Sequence, residues 1–407
     1  MRVVRNLESL EKALQKKRAP RNKVDERVAK IIASVRQRGD EALCEYTKKF
    51  DKVKIAVREL RVSESEISAA FNELDSSIIS AFKLAIDNVT KFYKKEAPRK
   101  NKRIKESNGK LLINRYIPLE RVGVYVPAGT APLVSSVYMA VIPAIVAGVK
   151  EIVLVSPPRK DKTINPFILA MASLLKIKEI YRAGGAQGIA AMAYGTKTIK
   201  KVDKIVGPGN EFVTEAKRQL FGEVDIDMLA GPSEVVILAL RGANIEYITA
   251  DLEAQVEHHR GMGIVVTNSK KIVRELRNKK VEGFVLRVKN VDDGCAAVNR
   301  IAPEHLEIFS KKPSKIFKKI RNAGAIFLGE NTPTALGDYT AGPSHILPTA
   351  GTARFFSSLS ASEFLKETHI ISYTKKALQD EAQVVEKIAS LEGMTKHLES
   401  VRKRLAS

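Results

Sequence analysis

Val24, Val28, Ile31, Ile32 and Val35 recur on one stripe, and the spacing predicts an amphipathic helix that Gly39 interrupts. Ser63-x-x-Glu66 reads as a capping box opening a further helix, so most of the first hundred residues are expected to be helical. Asn108-Gly109 falls between Arg103-Ile104-Lys105 and Leu111-Leu112-Ile113, the strongest short-range signal for a hairpin. From Val122 the rhythm changes to short apolar runs separated by Gly/Pro turns and helical stretches, the pattern of βαβ units in a parallel sheet. Strands are expected over 121–126, 151–155, 179–182 and 203–206, then in a second set near 234–240, 263–267, 283–287, 305–309 and 324–328. After about residue 355 the pattern returns to helix and ends in a charged amphipathic pair around Gly393.

The expected fold class is therefore α/β, with two Rossmann-like parallel-sheet domains and helical N-terminal and C-terminal segments. The domains are incomplete by sequence, because no G-x-G-x-x-G is present. The expected division is 1–23 as an N-terminal helical segment, 24–120 plus 233–355 as one α/β domain, 121–232 as a second, and 356–407 as a C-terminal helical segment. With 407 residues and 44% hydrophobic content, the chain can bury substantial cores without staples. Two cysteines, Cys44 and Cys295, exclude a disulfide framework and a cysteine zinc cluster, so any metal must use His, Asp, Glu or amide ligands. The opening Met1-Arg2-Val3-Val4-Arg5 lacks the apolar run of a signal peptide and no long uninterrupted apolar stretch occurs, so a cytoplasmic enzyme without membrane association is expected. Lys and Arg number 69 against 46 Asp and Glu, a net +23. The basic residues are spread along the whole chain rather than gathered with aromatics, so nucleic acid is not expected as a partner.

Two glycine-rich turns stand where strands hand over to helices, Gly184-Gly185-Ala186-Gln187 and Gly207-Pro208-Gly209-Asn210, and Tyr125-Val126-Pro127-Ala128-Gly129 makes a third. Such turns bring backbone N–H groups close to a phosphate or another polar ligand, although they also serve as plain α/β turn chemistry. Gln255 and His258 are expected on one face of a helix spanning Ile245 to His258, a geometry suited to a shared metal ion or, more simply, to imidazoles at a helix C-terminus. Asp338 and His345 lie seven residues apart in a loop rich in Gly and Pro, and His397 in Glu392-Gly393-Met394-Thr395-Lys396-His397 is a further candidate ligand. Donors limited to N and O favour Zn²⁺ or another borderline divalent ion. Glu304-His305 places a carboxylate and an imidazole side by side at a strand entry, where both reach one site only at its rim. Together they supply the two bases that oxidation of an alcohol beyond the aldehyde requires.

Taken as a set, these residues make the chain resemble the histidinol dehydrogenases. The matching segments are Gly123–Ala131, Gly184–Ala190, Val202–Arg218, Gly231–Val235, Ala254–His258, Ala302–Leu306, Gly337–Thr349 and Glu392–His397. The resemblance implies zinc ligands Gln255, His258, Asp338 and His397, and a catalytic pair Glu304 and His305. It implies that Ser233, Gln255, His258, His305, Asp338, Glu392 and His397 border L-histidinol, with His345 close by, and that Tyr125, Gln187 and Asn210 contact NAD in the 121–232 domain. The implied reaction takes L-histidinol through L-histidinaldehyde to L-histidine with two NAD⁺, the last step of histidine biosynthesis. The implied assembly is a homodimer in which the C-terminal segment completes the partner's site. His259-Arg260 after His258 departs from the family's usual pattern and puts the local helix end in doubt. On the residues alone, a zinc hydrolase or a binding protein without catalysis stands beside this reading; the glycine turns speak against the first and Glu304-His305 against the second.

Overall fold

The structure, a computed structural model, describes residues 1–18, 24–96, 100–128, 132–258 and 260–406; Gly129 of the third turn and His259 lie outside them. The chain divides into two compact units, Met1–Ala97 with Leu119–Phe364, and Pro98–Pro118 with Leu365–Ser407.

The first unit holds two parallel sheets. One has the strands Arg121–Tyr125, Glu151–Ser156, Glu179–Arg182, Lys204–Val206 and Asp225–Ile226, and numbering them along the chain gives the spatial order 3-2-1-4-5. The other has Glu234–Ala239, Met262–Thr267, Gly283–Arg287, His305–Phe309 and Ala325–Leu328 in the same order, with Arg2–Val4 added beside Gly283–Arg287. Both are doubly wound half-folds whose order reverses between the first and fourth strands, where the carboxyl ends open a crevice. Strands covered by helices on both faces read as continuous apolar runs; Glu234–Ala239 is buried at all six positions, and Val236 pairs in register with Ile264 on one side and Leu306 on the other. The expected strands recur within a residue or two of their places, and the two-residue edge strand Asp225–Ile226 adds to them.

The N-terminal segments distribute differently from the expected division. The stripe Val24, Val28, Ile31, Ile32 and Val35 belongs to the helix Val24–Arg38, but it shares a core with Ala186, Ile189, Ala193, Val213 and Ala216, which cover the 121–226 sheet. Residues 24–60 therefore pack with the sheet they were expected to stand apart from. Residues 1–18 form a strand and the helix Leu7–Arg18, and Val4, Leu10 and Leu14 enter the core of the other sheet with Val236 and Ile264. An apolar stripe specifies that a face is covered, not which sheet covers it.

The second unit is an antiparallel sheet of Lys102–Lys105, Leu111–Pro118 and Leu365–Ser372, followed by the helices Lys375–Leu391 and Thr395–Ala406. Asn108-Gly109 turns its hairpin with Gly109 at φ +90°, and Thr374 Oγ1 donates to the Asn108 carbonyl at 2.6 Å. The strand Leu365–Ser372 lies where only helix was expected. No helix among the described residues is long and apolar enough to cross a membrane.

Candidate functional site

The strands Glu234–Ala239 and His305–Phe309 are neighbours, with His305 opposite Val235, so their amino ends bring Ser233-Glu234 beside Glu304-His305. The Glu304 carboxylate accepts from the Glu234 backbone N–H at 3.0 Å and from Ser233. Gln255, almost fully buried near the end of the helix Ile245–Glu257, donates from Nε2 to Ser233 Oγ at 2.8 Å. That bond uses one of the amide's two N–H donors and leaves its oxygen as an acceptor. His305 lies between two carboxylates, with Nδ1 3.7 Å from Glu304 Oε2 and Nε2 3.8 Å from Asp338 Oδ1, and Phe327 packs against its ring. Nδ1 of His305 is buried without a hydrogen-bond partner.

His345 closes another side. Its Nδ1 donates to the Asp338 carbonyl at 3.0 Å, which fixes a neutral tautomer whose Nε2 faces Ser136 Oγ at 3.4 Å. Ser136 stands at the start of the helix Ser135–Ala147, which follows the Tyr125 turn, and Tyr138 on the same helix donates its hydroxyl to the Tyr339 carbonyl. The amino edge of one sheet is thus tied to the carboxyl edge of the other. His305 lies beside the Asp338 carboxylate and His345 is held by the Asp338 carbonyl, so these three side chains share one neighbourhood, within electrostatic reach of His258. One detail differs from expectation: the helix stops at Glu257, and His258 is extended, with ψ 141°, and exposed. Helical periodicity therefore does not aim the His258 side chain, whereas Gln255 stays on the buried face.

Burial dominates the protonation states. It pushes Glu304 up to about 8 against the donors Ser233 and Glu234, and it drives His305 down to about 3 and His345 to about 4, with His258 adding to both. Asp338 is raised by burial and pulled back by His258. Near neutrality the cluster holds a neutral imidazole beside a largely protonated carboxyl, with groups pushed apart in opposite directions as paired acid and base require.

At the carboxyl edge of the 121–226 sheet, Tyr125 touches both glycine turns. Its hydroxyl accepts from the Gly185 N–H at 3.0 Å, and its carbonyl oxygen lies 2.2 Å from where a Cβ on Gly207 would stand. Gln187 is buried in the first turn of the helix Gly185–Tyr194. Asn210 caps the helix Glu211–Leu220, its Oδ1 accepting from Phe212 and Val213, which leaves its amide N–H groups for a ligand.

The histidinol dehydrogenase family model matches residues 14–405. The chain belongs to the histidinol dehydrogenase family. It is 41% identical to a histidinol dehydrogenase of Carboxydothermus hydrogenoformans over the whole of both chains, and 43% identical to that of Heliobacterium mobile over 96% of each. A crystal structure of histidinol dehydrogenase from Elizabethkingia anophelis superposes with a TM-score of 0.92 at 35% identity, covering 100% of this chain and 98% of that one. The resemblance read from the eight motif segments is borne out, and with it the α/β class and a histidinol dehydrogenase function.

In this histidinol dehydrogenase fold, Ser233, Gln255, His258, Glu304, His305, Asp338 and His345 come together, and Tyr125, Gln187 and Asn210 line one edge of a single sheet. Glu392, at the end of the helix Lys375–Leu391, and His397, in the first turn of Thr395–Ala406, lie exposed in the second unit. Among the described residues no group of three or more His, Cys, Asp or Glu is arranged to hold a metal. The expected set instead relies on the Gln255 amide and on a second-unit imidazole. Its N/O chemistry, with a freed amide oxygen, an imidazole and a part-buried carboxylate, fits Zn²⁺. The sequence reading missed Asp51, pushed up to about 6 by burial beside Gly184, and the pair Lys217 and Asp227 beneath Gly207. No local motif marks Asp51, which reaches the turn from a distant helical segment.

Proposed function

We propose that this histidinol dehydrogenase is zinc-dependent and carries L-histidinol through L-histidinaldehyde to L-histidine with two NAD⁺, as the last step of histidine biosynthesis in the cytoplasm. The juxtaposition of Glu304 and His305 within one buried cluster is the observation that carries the reading, because two successive oxidations need two distinct bases.

Gln255, His258 and Asp338, with His397 of the C-terminal segment, would hold Zn²⁺, which would supply a fixed anchor for the substrate's nitrogens. NAD⁺, against Tyr125, Gln187 and Asn210, supplies the hydride acceptor. The remaining work belongs to side chains. His305, kept neutral by burial, takes the hydroxyl proton as the carbinol carbon loses hydride. In its ionised form, which gains population as pH rises toward 8, Glu304, oriented by the Glu234 N–H, takes a proton from the water that adds to the aldehyde carbon. His305 releases its first proton to solvent, and the hydrate then loses hydride, the second of the reaction, as its hydroxyl proton passes to the regenerated His305. Ser233 borders the substrate and is held by Gln255, so substrate contact and ligand orientation are coupled through one hydrogen bond. His345, tied to Asp338 and Ser136, fixes the loop that carries Asp338. Glu392 and His397 complete the site of the partner subunit in a homodimer.

Mixing the purified chain with Zn²⁺, NAD⁺ and L-histidinol tests the reading. Two NADH should appear for each histidinol consumed, and chelation should abolish the signal. Absence of NADH would leave a hydrolase or a passive binder and defeat the proposal.

A further inference from the structure

The turn Gly207-Pro208-Gly209-Asn210 is gripped from below by a buried ion pair. Lys217 and Asp227 have side chains only 3% and 1% exposed and lie 2.7 Å apart. The pair holds both backbone polar groups of one residue: Lys217 Nζ donates to the Gly207 carbonyl at 2.5 Å, and the Gly207 N–H donates to Asp227 Oδ2 at 2.7 Å. Asp227 Oδ1 also accepts from the Met228 N–H. Asp227 follows directly on the edge strand Asp225–Ile226, and Lys217 lies on the helix that Asn210 caps. The ion pair therefore joins the strand that enters the turn, the helix that leaves it and the neighbouring edge strand.

Burying two charges is a poor route to stability, since an apolar pair of similar volume usually serves as well or better. Its use here is geometric. Gly207 sits at φ +114° with the Tyr125 carbonyl crowding the place of a Cβ, so the turn has one narrow conformation to keep. Rotation of that peptide would move Gly209 and Asn210 away from the crevice at the strand-order reversal.

We propose that Lys217 and Asp227 are positioning residues for the nicotinamide dinucleotide: by fixing both polar groups of Gly207 they hold the turn in the conformation that presents Asn210 to the cofactor. The inference rests on the reading that Tyr125, Gln187 and Asn210 contact NAD. Both side chains are buried beneath the turn, so the loss on substitution belongs to NAD affinity and leaves the acid/base cluster intact.

Calorimetric titration of the full-length enzyme with NAD⁺, and separately with L-histidinol, tests it in Lys217→Met and in the double variant Lys217→Met/Asp227→Leu. The double variant removes both charges together and so avoids stranding one in the core. The expected result is an NAD⁺ Kd raised about tenfold or more, with histidinol Kd within about twofold of wild type and KM for NAD⁺ rising more than kcat falls. An NAD⁺ Kd within about twofold of wild type in folded variants overturns the proposal. So does a double variant that fails to fold, which would make the pair a structural requirement only. Tyr125→Ala and Asn210→Ala separate the two levels of the argument: if they too bind NAD⁺ normally, the cofactor-site reading has failed, whereas if they alone lose affinity, only the role of the ion pair has.

Discussion

Glu307 stands in the middle of the strand His305–Phe309, fully buried, and faces Asp251 on the helix Ile245–Glu257. Its Oε1 accepts from the Thr334 N–H at 3.0 Å and from Thr334 Oγ1 at 2.7 Å, but burial, followed by the Asp251 charge, pushes it up to about 8. A carboxyl raised in the fold keeps a proton that the unfolded chain releases from about pH 4.3 upward. Its stabilising contribution is therefore present below that value and is lost progressively as pH climbs to about 8. At about 1.4 kcal/mol per pH unit the window has a ceiling of about 5 kcal/mol. Sharing of the proton with Asp251, also raised by burial, and the effective interior dielectric reduce the expected slope to about 2–3 kcal/mol in total. Glu307→Gln keeps the acceptor for Thr334, gains a donor toward Asp251 and cannot titrate. Scanning calorimetry of wild type and variant from pH 5 to 9 should show the variant gaining on wild type as pH rises, by about that amount. Parallel curves, or a variant advantage that shrinks with pH, would refute the reasoning.

Three further outcomes follow from the site. Glu304→Gln should slow oxidation of L-histidinaldehyde by about 10²–10³ while the alcohol step stays within about tenfold, read by comparing NADH formation from the two substrates; equal losses in both steps would remove Glu304 from water activation. His305→Gln should lower both steps by about 10²–10⁴ and leave histidinol affinity within a few-fold of wild type, since the side chain moves protons rather than anchoring the substrate; calorimetric titration checks the second half. Gly207→Ala adds a Cβ 2.2 Å from the Tyr125 carbonyl at a positive φ, and should cost more than about 2 kcal/mol of stability together with NAD⁺ affinity, visible in thermal unfolding with and without NAD⁺.

The βαβ rhythm and the glycine turns were legible because parallel strands buried on both faces are written as short apolar runs, and their boundaries as Gly and Pro. The Glu304-His305 pair was legible for a related reason: adjacent strand residues share a site only at a rim, and His305 is the first residue of its strand. Partner choice was not legible. Nothing in the stripe from Val24 to Val35 distinguishes the core containing Ala186 from the one containing Val236. Leu365–Ser372 carries no strand signal because it pairs through its backbone with Leu111–Pro118 and stays mostly exposed, so its side chains need not alternate between apolar and polar. Lys217 and Asp227 carry no signal in the sequence, since the reason for burying them, the two polar groups of Gly207, exists only once the turn has formed. His258 was placed on a helix face that ends one residue earlier, at Glu257.

Side chains from a helix end, a glycine-bearing loop and the C-terminal helices are taken to share one divalent ion. Metal analysis of the purified enzyme, wild type against Gln255→Ala and His258→Ala, tests that most directly. The expected result is one Zn²⁺ per subunit in the wild type, with metal and NADH formation lost together in each variant. A variant that keeps its zinc and full activity would contradict the account.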